Sequence, residues 1–456
     1  MINLKNQKGS VLVTALVSVA VLLILFLSAF SYGIGRYSVH VKNQHKIRAQ
    51  YLAESGINRA IHLLENNTTK IEELHKDSLH VIVEDIGSFT VTCRPYGGYQ
   101  LFSSMGKSGS QQSKLTAIIG IGNSHYTQYA ITLTDENYPL TATGHTKITG
   151  DILTGNVHLT TGQIDGRGIY DKQFHVGRHL IDPVASKLKL STRYLLDYKE
   201  YVFQELKDDA HRVTTSLLLN AGDEDFLKEN PVVYIEGNLE INGLKFSAKD
   251  ETVTIMVNGM AEIRGNSRLE GFIEILAGKC ILINDSSVIS GGVCYGEDSL
   301  VLSDDVWFSG QAITETNLIV RDKTYINYPS LLLSLGDIER NQIDHAVTLS
   351  TRYPISALCI LISEDTLINY PHENIYVDTG SSVRGILCSS DYIDLRGKVI
   401  GSVMTRNFWY AQPPTTFINW LRDININHAE LDYNPVMPFV IDSISNYGIL
   451  AMDYRK

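Results

Sequence analysis

Residues 8–30 read KGSVLVTALVSVAVLLILFLSAF, and residues 31–66 read SYGIGRYSVHVKNQHKIRAQYLAESGINRAIHLLEN. Between residues 11 and 30 the only polar residues are Thr14, Ser18 and Ser28, and no residue is charged. A helix of about 20 such residues matches the ~30 Å hydrocarbon core of a bilayer. The sequence therefore predicts a membrane span over residues 11–30, whose apolar positions include Val11, Leu16, Leu22, Leu25 and Phe30.

The helix is expected to continue well beyond the membrane. Apolar residues recur at helical spacing among charged ones, at Ala49, Ala53, Ile57, Ala60 and Leu64. The first proline of the chain is at position 95, so no proline forces a break. A helix over residues 10–66 would be roughly 85 Å long at ~1.5 Å per residue. Its first half suits lipid, and its second half needs a protein surface to pack against.

Three features of this stretch point to one family: a short basic leader that ends in Lys8-Gly9, the long apolar run, and the segment AQYLAESGI at residues 49–57. Together they resemble the N-terminus of type IV pilins and pseudopilins, in particular of minor pilins with a PilX-like N-terminus. The resemblance covers residues 8–60. It implies that a prepilin peptidase removes a leader, residues 1–9, by cutting between Gly9 and Ser10.

The resemblance also implies a location and partners. The chain would be a single-pass protein of the inner (cytoplasmic) membrane, with its ectodomain outside the cytoplasm. After cleavage the helix would leave the bilayer and bind other pilin subunits, in a pilus or a secretion filament at the cell envelope.

The fifth residue after the implied cleavage site is Thr14. Most pilins carry a glutamate at this position, where it pairs with the N-terminal amine of a neighbouring subunit. Threonine offers that amine no charge, and a buried unpaired ammonium is costly. By analogy with pseudopilins that lack the glutamate, the resemblance implies a subunit at the filament tip.

Charge is divided unevenly along the chain. Residues 1–50 contain six basic and no acidic residues, and the rest contains 33 basic and 50 acidic ones, a formal charge of −17. So acidic an ectodomain is a poor candidate for nucleic-acid binding, which depends on lysine and arginine. Basic residues after the span, such as Arg36 and Lys42, favour the reverse orientation by the positive-inside rule. The family resemblance favours the N-terminus inside.

The five cysteines, Cys93, Cys280, Cys294, Cys359 and Cys388, are widely spaced. No Cys-x-x-Cys or Cys/His ligand spacing occurs, so the sequence predicts neither a metal site nor a cofactor. A disulfide between Cys359 and Cys388 is one pairing that the sequence allows, although a sequence does not determine connectivity.

Residues 77–120 contain four short β-rich segments separated by glycine turns. They predict a small antiparallel, pilin-like head, which would supply the packing partner for the soluble half of the helix.

Residues 129–410 contain short β segments punctuated by glycine. An aliphatic residue follows four positions after Gly237, Gly259, Gly278 and Gly296, and these glycines are 22, 19 and 18 residues apart. One strand and one turn at such intervals are typical of a β-solenoid, and the region resembles solenoid domains of the polymer-forming type. A β-sandwich is the alternative. The predicted class is thus α+β, mainly β.

Two segments interrupt the repeats and predict helical insertions. Residues 183–229 keep helical spacing at Leu190, Tyr194, Tyr198 and Leu206, and residues 329–354 include SLLLSLGDIERNQIDHAVTLS. Residues 411–456 predict a C-terminal cap with a short helix over residues 417–423.

Candidate carboxylate pairs for catalysis are few. Asp304 and Asp305 are adjacent, so on a strand their side chains would point to opposite faces unless they lie in a turn. Asp391 and Asp394 have the same difficulty because their spacing is odd. Both pairs are interpreted as solvated carboxylates.

Other chemical motifs are weaker still. His175 and His179 would share one face of a helix, but no third ligand follows at a recognised spacing. No phosphate-binding loop, nucleophile elbow or His-Glu-x-x-His motif occurs.

The sequence therefore predicts a non-enzymatic minor pilin or pseudopilin at or near the tip of a type IV pilus-like filament, displaying a large β-rich ectodomain. Its 24 tyrosines suit packing or, where exposed, adhesion to a surface or glycan ligand. The alternatives are an uncleaved membrane-anchored adhesin or scaffold, and a β-solenoid enzyme that acts on envelope polysaccharide.

Overall fold

The computed structural model describes residues 7–66, 70–122, 125–135, 137–187, 189–336, 345–362, 374–431, 435–441 and 446–455. The chain forms two compact units. The first contains Met1–Cys93, Phe102–Thr116 and Asp453–Lys456, and the second contains Arg94–Leu101 and Ala117–Met452. The predicted class is confirmed, since a long N-terminal helix precedes a small antiparallel sheet and a large, mostly parallel β domain with few helices.

The first unit begins with helix α1, Gln7–Glu65, of 59 residues. No proline interrupts it, and the chain then enters a short helix α2, Ile71–Lys76. Four strands follow: β1 Leu79–Val83, β2 Gly87–Tyr96, β3 Tyr99–Ser108 and β4 Gln111–Gly122. They lie in the order β1-β2-β3-β4 and are followed at the sheet edge by the last strand of the chain, Asn446–Arg455. β1 pairs antiparallel with β2.

A stripe of buried small and aliphatic residues on α1 packs against this sheet: Ala49, Leu52, Ala53, Ile57, Ala60 and Leu64. Two glycines permit the close approach. A Cβ on Gly106 would lie 2.0 Å from the carbonyl oxygen of Ala49, and one on Gly56 would lie 2.2 Å from Oγ of Ser104. The contact therefore requires glycine at both positions, one on the sheet and one on the helix.

The large β domain belongs to the second unit. Its first part contains β5 Ile131–Leu133, β6 Leu140–Thr143, β7 Lys147–Thr149, β8 Ile152–Thr154, β9 Leu159–Thr161, β10 His175–Val176, β11 His179–Ile181, α3 Arg193–Glu200, a π-helical turn Tyr201–Leu206, β12 His211–Val213, β13 Leu217–Asn220 and α4 Glu224–Glu229.

Its second part is almost entirely strand: β14 Val232–Ile235, β15 Leu239–Asn242, β16 Lys245–Val257, β17 Ala261–Arg264, β18 Arg268–Ala277, β19 Cys280–Ile283, β20 Val288–Gly296, β21 Ser299–Leu302, β22 Trp307–Thr314, β23 Asn317–Asp322, β24 Tyr325–Ile326, β25 Leu331–Ser334, β26 Val347–Thr351, β27 Pro354–Leu361, β28 Asn374–Val377, β29 Ser382–Leu395, β30 Lys398–Gln412, β31 Thr415–Ile418, β32 Trp420–Arg422 and β33 Asn425–Asn427. The last strand, β34 Asn446–Arg455, belongs to the small sheet.

These strands build a β-solenoid, in which each strand pairs in parallel with the equivalent strand of the next coil. Ile241 pairs with Ile263, Ile263 with Ile283, and Ile283 with Leu302. All four are fully buried. Burial of each such side chain is worth about 1.5–3 kcal/mol relative to exposure. The column of aliphatic residues along the interior therefore holds the coils in register.

The four-residue offset from glycine does not mark one face of the strands throughout. Leu282, four residues after Gly278, pairs with Val301 and is only half-buried, whereas its neighbours Ile281 and Ile283 are fully buried. A shift of one residue moves a side chain to the other face of a strand.

The order of coils in space differs from their order in the sequence. β30 pairs in parallel with β5, where Val403 lies opposite Ile131, and β5 pairs in turn with β8 and β8 with β11. The coils nearest the N-terminus therefore stack beyond the last coil of the long repeat array. The segment that contains α3 then carries the chain back to β12, at the opposite end of the array.

Residues 183–229 contain the predicted helices, as α3 and α4, together with two strands. The prediction of a helix in residues 329–354 was wrong for the described residues, which form β25, β26 and the start of β27. Residues 337–344 lie outside the described part. β25 is buried at all four positions, and a short apolar run such as LLLS fits a buried parallel strand as well as a helix.

The predicted helix over residues 417–423 was also wrong. This stretch forms the end of β31 and then β32, which pair with β30 and β6. The strand partners available on both sides decide its conformation.

Candidate functional site

The apolar half of α1 is exposed along its length. Its side chains reach 65% exposure at Val11 and 59% at Phe30, and Leu16, Leu22 and Leu25 are equally open. The segment is long and apolar enough to cross a membrane. A continuous apolar surface of this size requires a bilayer or neighbouring helices to cover it. Gly9, Ser10 and Thr14 all lie in the first turns of the same helix.

Exposed apolar residues on α1 extend past the predicted span. Tyr32, Ile34, Tyr37 and Val39 are all more than half exposed. About 20 residues suffice to cross the hydrocarbon core, and these residues extend the exposed apolar surface beyond residues 11–30.

A buried ion pair lies in the second unit, between the end of β2 and β18. Arg94 donates from Nη1 and Nη2 to Oε1 and Oε2 of Glu274, at 3.2 and 2.9 Å. Tyr198 of α3 donates to Oε1 at 3.1 Å, and Thr254 of β16 donates to Oε2 at 3.0 Å. The Glu274 side chain is 0% exposed. Four donors thus compensate one fully buried carboxylate.

This cluster shifts the ionisation of its members. Burial alone would lower the pKa of Arg94, but the adjacent carboxylate of Glu274 raises it above its ordinary value. Burial also raises the pKa of Tyr198 well above its usual range, and the charge of Glu274 adds to that effect. The guanidinium therefore stays charged and the phenol stays protonated at any physiological pH. Sequence reasoning missed this cluster, although Glu274 is the only charge in the apolar segment GFIEILAG.

A second, half-buried ion cluster fastens α3 to the solenoid. Nζ of Lys199 lies 2.8 Å from Glu297 and 2.7 Å from Glu315. The hydroxyl of Tyr295 also donates to Glu315, at 2.7 Å. Together with Leu195, which is fully buried, these contacts fix the helix on the outer face of the solenoid.

A groove of about 840 Å³ runs along one corner of the solenoid. It is lined by Asp304, Asp305, Asp322, Lys323, Ser350, Thr351, Arg352, Tyr353, Asp378, Thr379, Gly380 and Ser381. Beside it, Trp307, Tyr325 and Tyr353 stack on successive coils, with ring centroids 4.5 and 3.9 Å apart. A hydrogen bond with Tyr353 raises the pKa of Tyr325 to about 12, so the Tyr325 phenol stays protonated.

The structure places the pair Asp304 and Asp305 in this groove. Both residues have left-handed backbone conformations, with φ of 61° and 65°, and lie in a turn between β21 and β22. The turn removes the strand alternation that would have separated them, so both side chains line the same groove. Oδ2 of Asp305 lies 4.0 Å from Nζ of Lys323.

The structure does not bring the carboxylates of Asp391 and Asp394 into one site. Asp394 is buried and forms a two-point ion pair with Arg396, with distances of 3.0 and 2.8 Å. Burial raises the pKa of Asp391 to about 6, opposed by Arg406 at 3.8 Å. Each carboxylate therefore has its own arginine.

His175 and His179 lie on two strands, β10 and β11, instead of one helix. The ring of His175 hydrogen-bonds the carbonyl of Gly150 at 3.1 Å, and that of His179 bonds the hydroxyl of Thr154 at 3.0 Å. Burial and neighbouring histidines lower the pKa of His179. Within the described part of the chain, no group of three His, Cys, Asp or Glu side chains is arranged to hold a metal ion.

The disulfide that the sequence allows between Cys359 and Cys388 is not formed in the structure. Cys359 and Cys388 are both free and fully buried. They lie on the neighbouring strands β27 and β29, but Cys359 belongs to the core inside the solenoid and Cys388 to the cluster packed on the outer face of the sheet. Side chains on opposite faces cannot bond. Burial raises the pKa of both thiols well above the usual value, which also disfavours their oxidation.

No protein-family model and no curated protein sequence matches the chain. Among solved structures, the chain is similar to the competence-associated pilin ComZ from Thermus thermophilus. The identity is 12%, the TM-score is 0.25, and the match covers 90% of this chain and 98% of that chain. A likeness at that score supports no conclusion about this protein, so the proposals below rest on the helix, the sheet and the solenoid.

Proposed function

We propose that this protein is a non-enzymatic minor subunit of a type IV pilus-like filament, displayed at or near the filament tip. The observation that carries the proposal is α1 itself. One continuous helix of 59 residues has an exposed apolar first half and a second half packed on a small antiparallel sheet. Such a helix serves two successive environments, a bilayer and a bundle of helices.

The length of α1 favours assembly over simple anchoring. At ~1.5 Å per residue, 59 residues span roughly 88 Å, about three times the bilayer core. Exposed Tyr32, Ile34, Tyr37 and Val39 continue the apolar surface past the membrane. A plain anchor has no use for this second surface, whereas a filament subunit buries it against its neighbours.

The size of the second unit supports a place at the tip. This unit contains the large solenoid, which would be difficult to repeat along a slender fibre. Thr14 supports the same position, because it supplies no negative charge for the N-terminal amine of an adjacent subunit. We further propose that a prepilin peptidase cuts between Gly9 and Ser10, from an inner-membrane precursor whose ectodomain lies outside the cytoplasm.

Cleavage is tested by co-expressing the full chain with a prepilin peptidase and measuring its intact mass. The expected product lacks residues 1–9. A Gly9→Val variant serves as the control, since a bulky residue at the scissile position should leave the chain at full length. An unshortened wild-type chain would contradict the proposal and favour a permanently anchored adhesin.

Tip placement is tested with Thr14→Glu, which restores an acidic residue at the fifth position of the processed helix. We expect immunogold labelling to move from filament ends into filament bodies. Ser18→Glu is the matched control, because it adds the same charge one turn further along and should not do so. Unchanged labelling with Thr14→Glu would count against the tip position.

A further inference from the structure

We propose that the corner groove of the solenoid binds a neutral or amine-bearing polysaccharide, with Trp307 beside the groove as a stacking surface and the groove carboxylates as acceptors for hydroxyl or ammonium groups. This inference concerns the solenoid alone and does not depend on filament assembly.

The aromatic stack provides the first argument. Trp307 pairs with Tyr325 across neighbouring coils, and Tyr325 stacks on Tyr353, which itself lines the groove. On the other side of Trp307 the paired residue is Val288, which has no ring to cover the indole. Trp307 is 49% exposed. A half-exposed indole offers the large, rigid surface on which a sugar ring packs.

The second argument is the charge of the lining. The groove has four aspartates but only two cations, Lys323 and Arg352. Such a surface repels phosphate, sulfate and carboxylate groups. It therefore disfavours nucleic acids and acidic glycans, and it favours chains with hydroxyl or ammonium groups.

Hydrogen bonds from neighbouring groups keep the carboxylate of Asp378 ionised. Burial acts to raise the pKa of Asp378, but hydrogen bonds from Ser350, Tyr376 and the backbone N–H of Thr379 lower it below its ordinary value. The carboxylate is thus ionised at neutral pH and accepts hydrogen bonds. A proton-donating acid of a glycosidase needs the opposite shift, so Asp378 suits binding better than cleavage.

The shape of the groove agrees with an extended ligand. It follows a corner of the solenoid over several coils, from Asp304 to Ser381. Its volume of about 840 Å³ lies in the range of small-molecule sites, but its lining is rich in charged and hydroxyl groups. A linear, strongly hydrated chain fits such a site better than an apolar compound.

The test uses the full chain in a detergent without a sugar headgroup, titrated by calorimetry with chitohexaose, a chitosan hexamer and a heparin hexasaccharide. We expect the first two to bind and heparin not to. Trp307→Ala should weaken binding about tenfold or more, the loss of roughly one aromatic contact. Tyr170→Ala is the matched control, because Tyr170 is an exposed aromatic that stacks on His145 and does not belong to the Trp307–Tyr325–Tyr353 stack.

Asp305→Asn keeps the proposal testable if Trp307→Ala fails to fold. This exposed substitution removes one charge and should weaken the chitosan hexamer more than chitohexaose. The proposal is overturned if heparin binds in preference to chitohexaose and the chitosan hexamer, or if neither of these two binds. It is also overturned if Trp307→Ala and Asp305→Asn both bind with wild-type affinity. Shortened oligosaccharide products would replace a binding role with a catalytic one.

Discussion

The buried carboxylate of Glu274 allows the sharpest test of how the solenoid is held together. Glu274→Gln keeps the side-chain shape but removes the charge that Arg94 needs. The guanidinium is only 20% exposed, so water compensates it poorly. Breaking one partner of such a buried pair costs about 3–5 kcal/mol. At ~2 °C per kcal/mol for a large domain, the melting temperature should fall by at least about 6 °C.

A double variant separates the loss of the pair from the cost of the charge left behind. In Arg94→Met/Glu274→Leu neither charge remains, and both new side chains are apolar and similar in length. We expect this variant to lose less stability than Glu274→Gln alone, because replacement of a whole buried pair is often neutral. Tyr198 and Thr254 lose their hydrogen bonds to Glu274 in this variant, which costs less free energy than a buried unpaired charge.

The assay is thermal unfolding of the full chain followed by circular dichroism of the β signal. Glu297→Gln is the matched control, since Glu297 also pairs with a cation but its side chain is 33% exposed. Its loss should cost less than about 1 kcal/mol. Equal melting temperatures for Glu274→Gln and Glu297→Gln would refute the role of the buried charge. So would a double variant that is less stable than Glu274→Gln.

Three further outcomes are expected. Gly106→Val should weaken the packing of α1 on its sheet and increase hydrogen exchange in the second half of α1, because a Cβ at position 106 would lie 2.0 Å from the helix backbone. Gly35→Val is the control and should not increase exchange, because a Cβ at position 35 has nothing within 4 Å. Equal exchange in the two variants would contradict this contact. Asp391→Asn should raise the melting temperature at pH 7 but barely at pH 4. Because the pKa of Asp391 is raised to about 6 in the folded protein, the stability that its protonated carboxyl contributes below about pH 4 is lost as pH rises through 6. A change in melting temperature that does not depend on pH would refute the raised pKa of Asp391. Cys359 and Cys388 should both react with a thiol reagent when the protein is unfolded without reductant, as measured by mass spectrometry of the digested protein. A disulfide-linked pair of peptides containing these two cysteines would contradict this expectation.

The candidate sites were predictable to different degrees. The apolar helix follows from residues 11–30 alone, because hydropathy and length suffice to recognise a span. The groove was not predictable, because Trp307, Tyr325 and Tyr353 are separated by unequal intervals and meet only where coils stack. Asp304 and Asp305 were found as a pair, but their common direction depends on left-handed turn residues that periodicity does not reveal.

Two features of the fold follow from the amino-acid sequence alone. An uninterrupted apolar and then amphipathic run specifies α1, and regular glycine and aliphatic spacing specifies the coils of a solenoid. Both depend on interactions between residues near in sequence or one repeat apart. Three other features are evident only in the folded chain: β5 stacks on β30, Arg94 pairs with Glu274, and residues 331–334 form a strand. These contacts join residues far apart in the chain, where burial and available partners outweigh local preference.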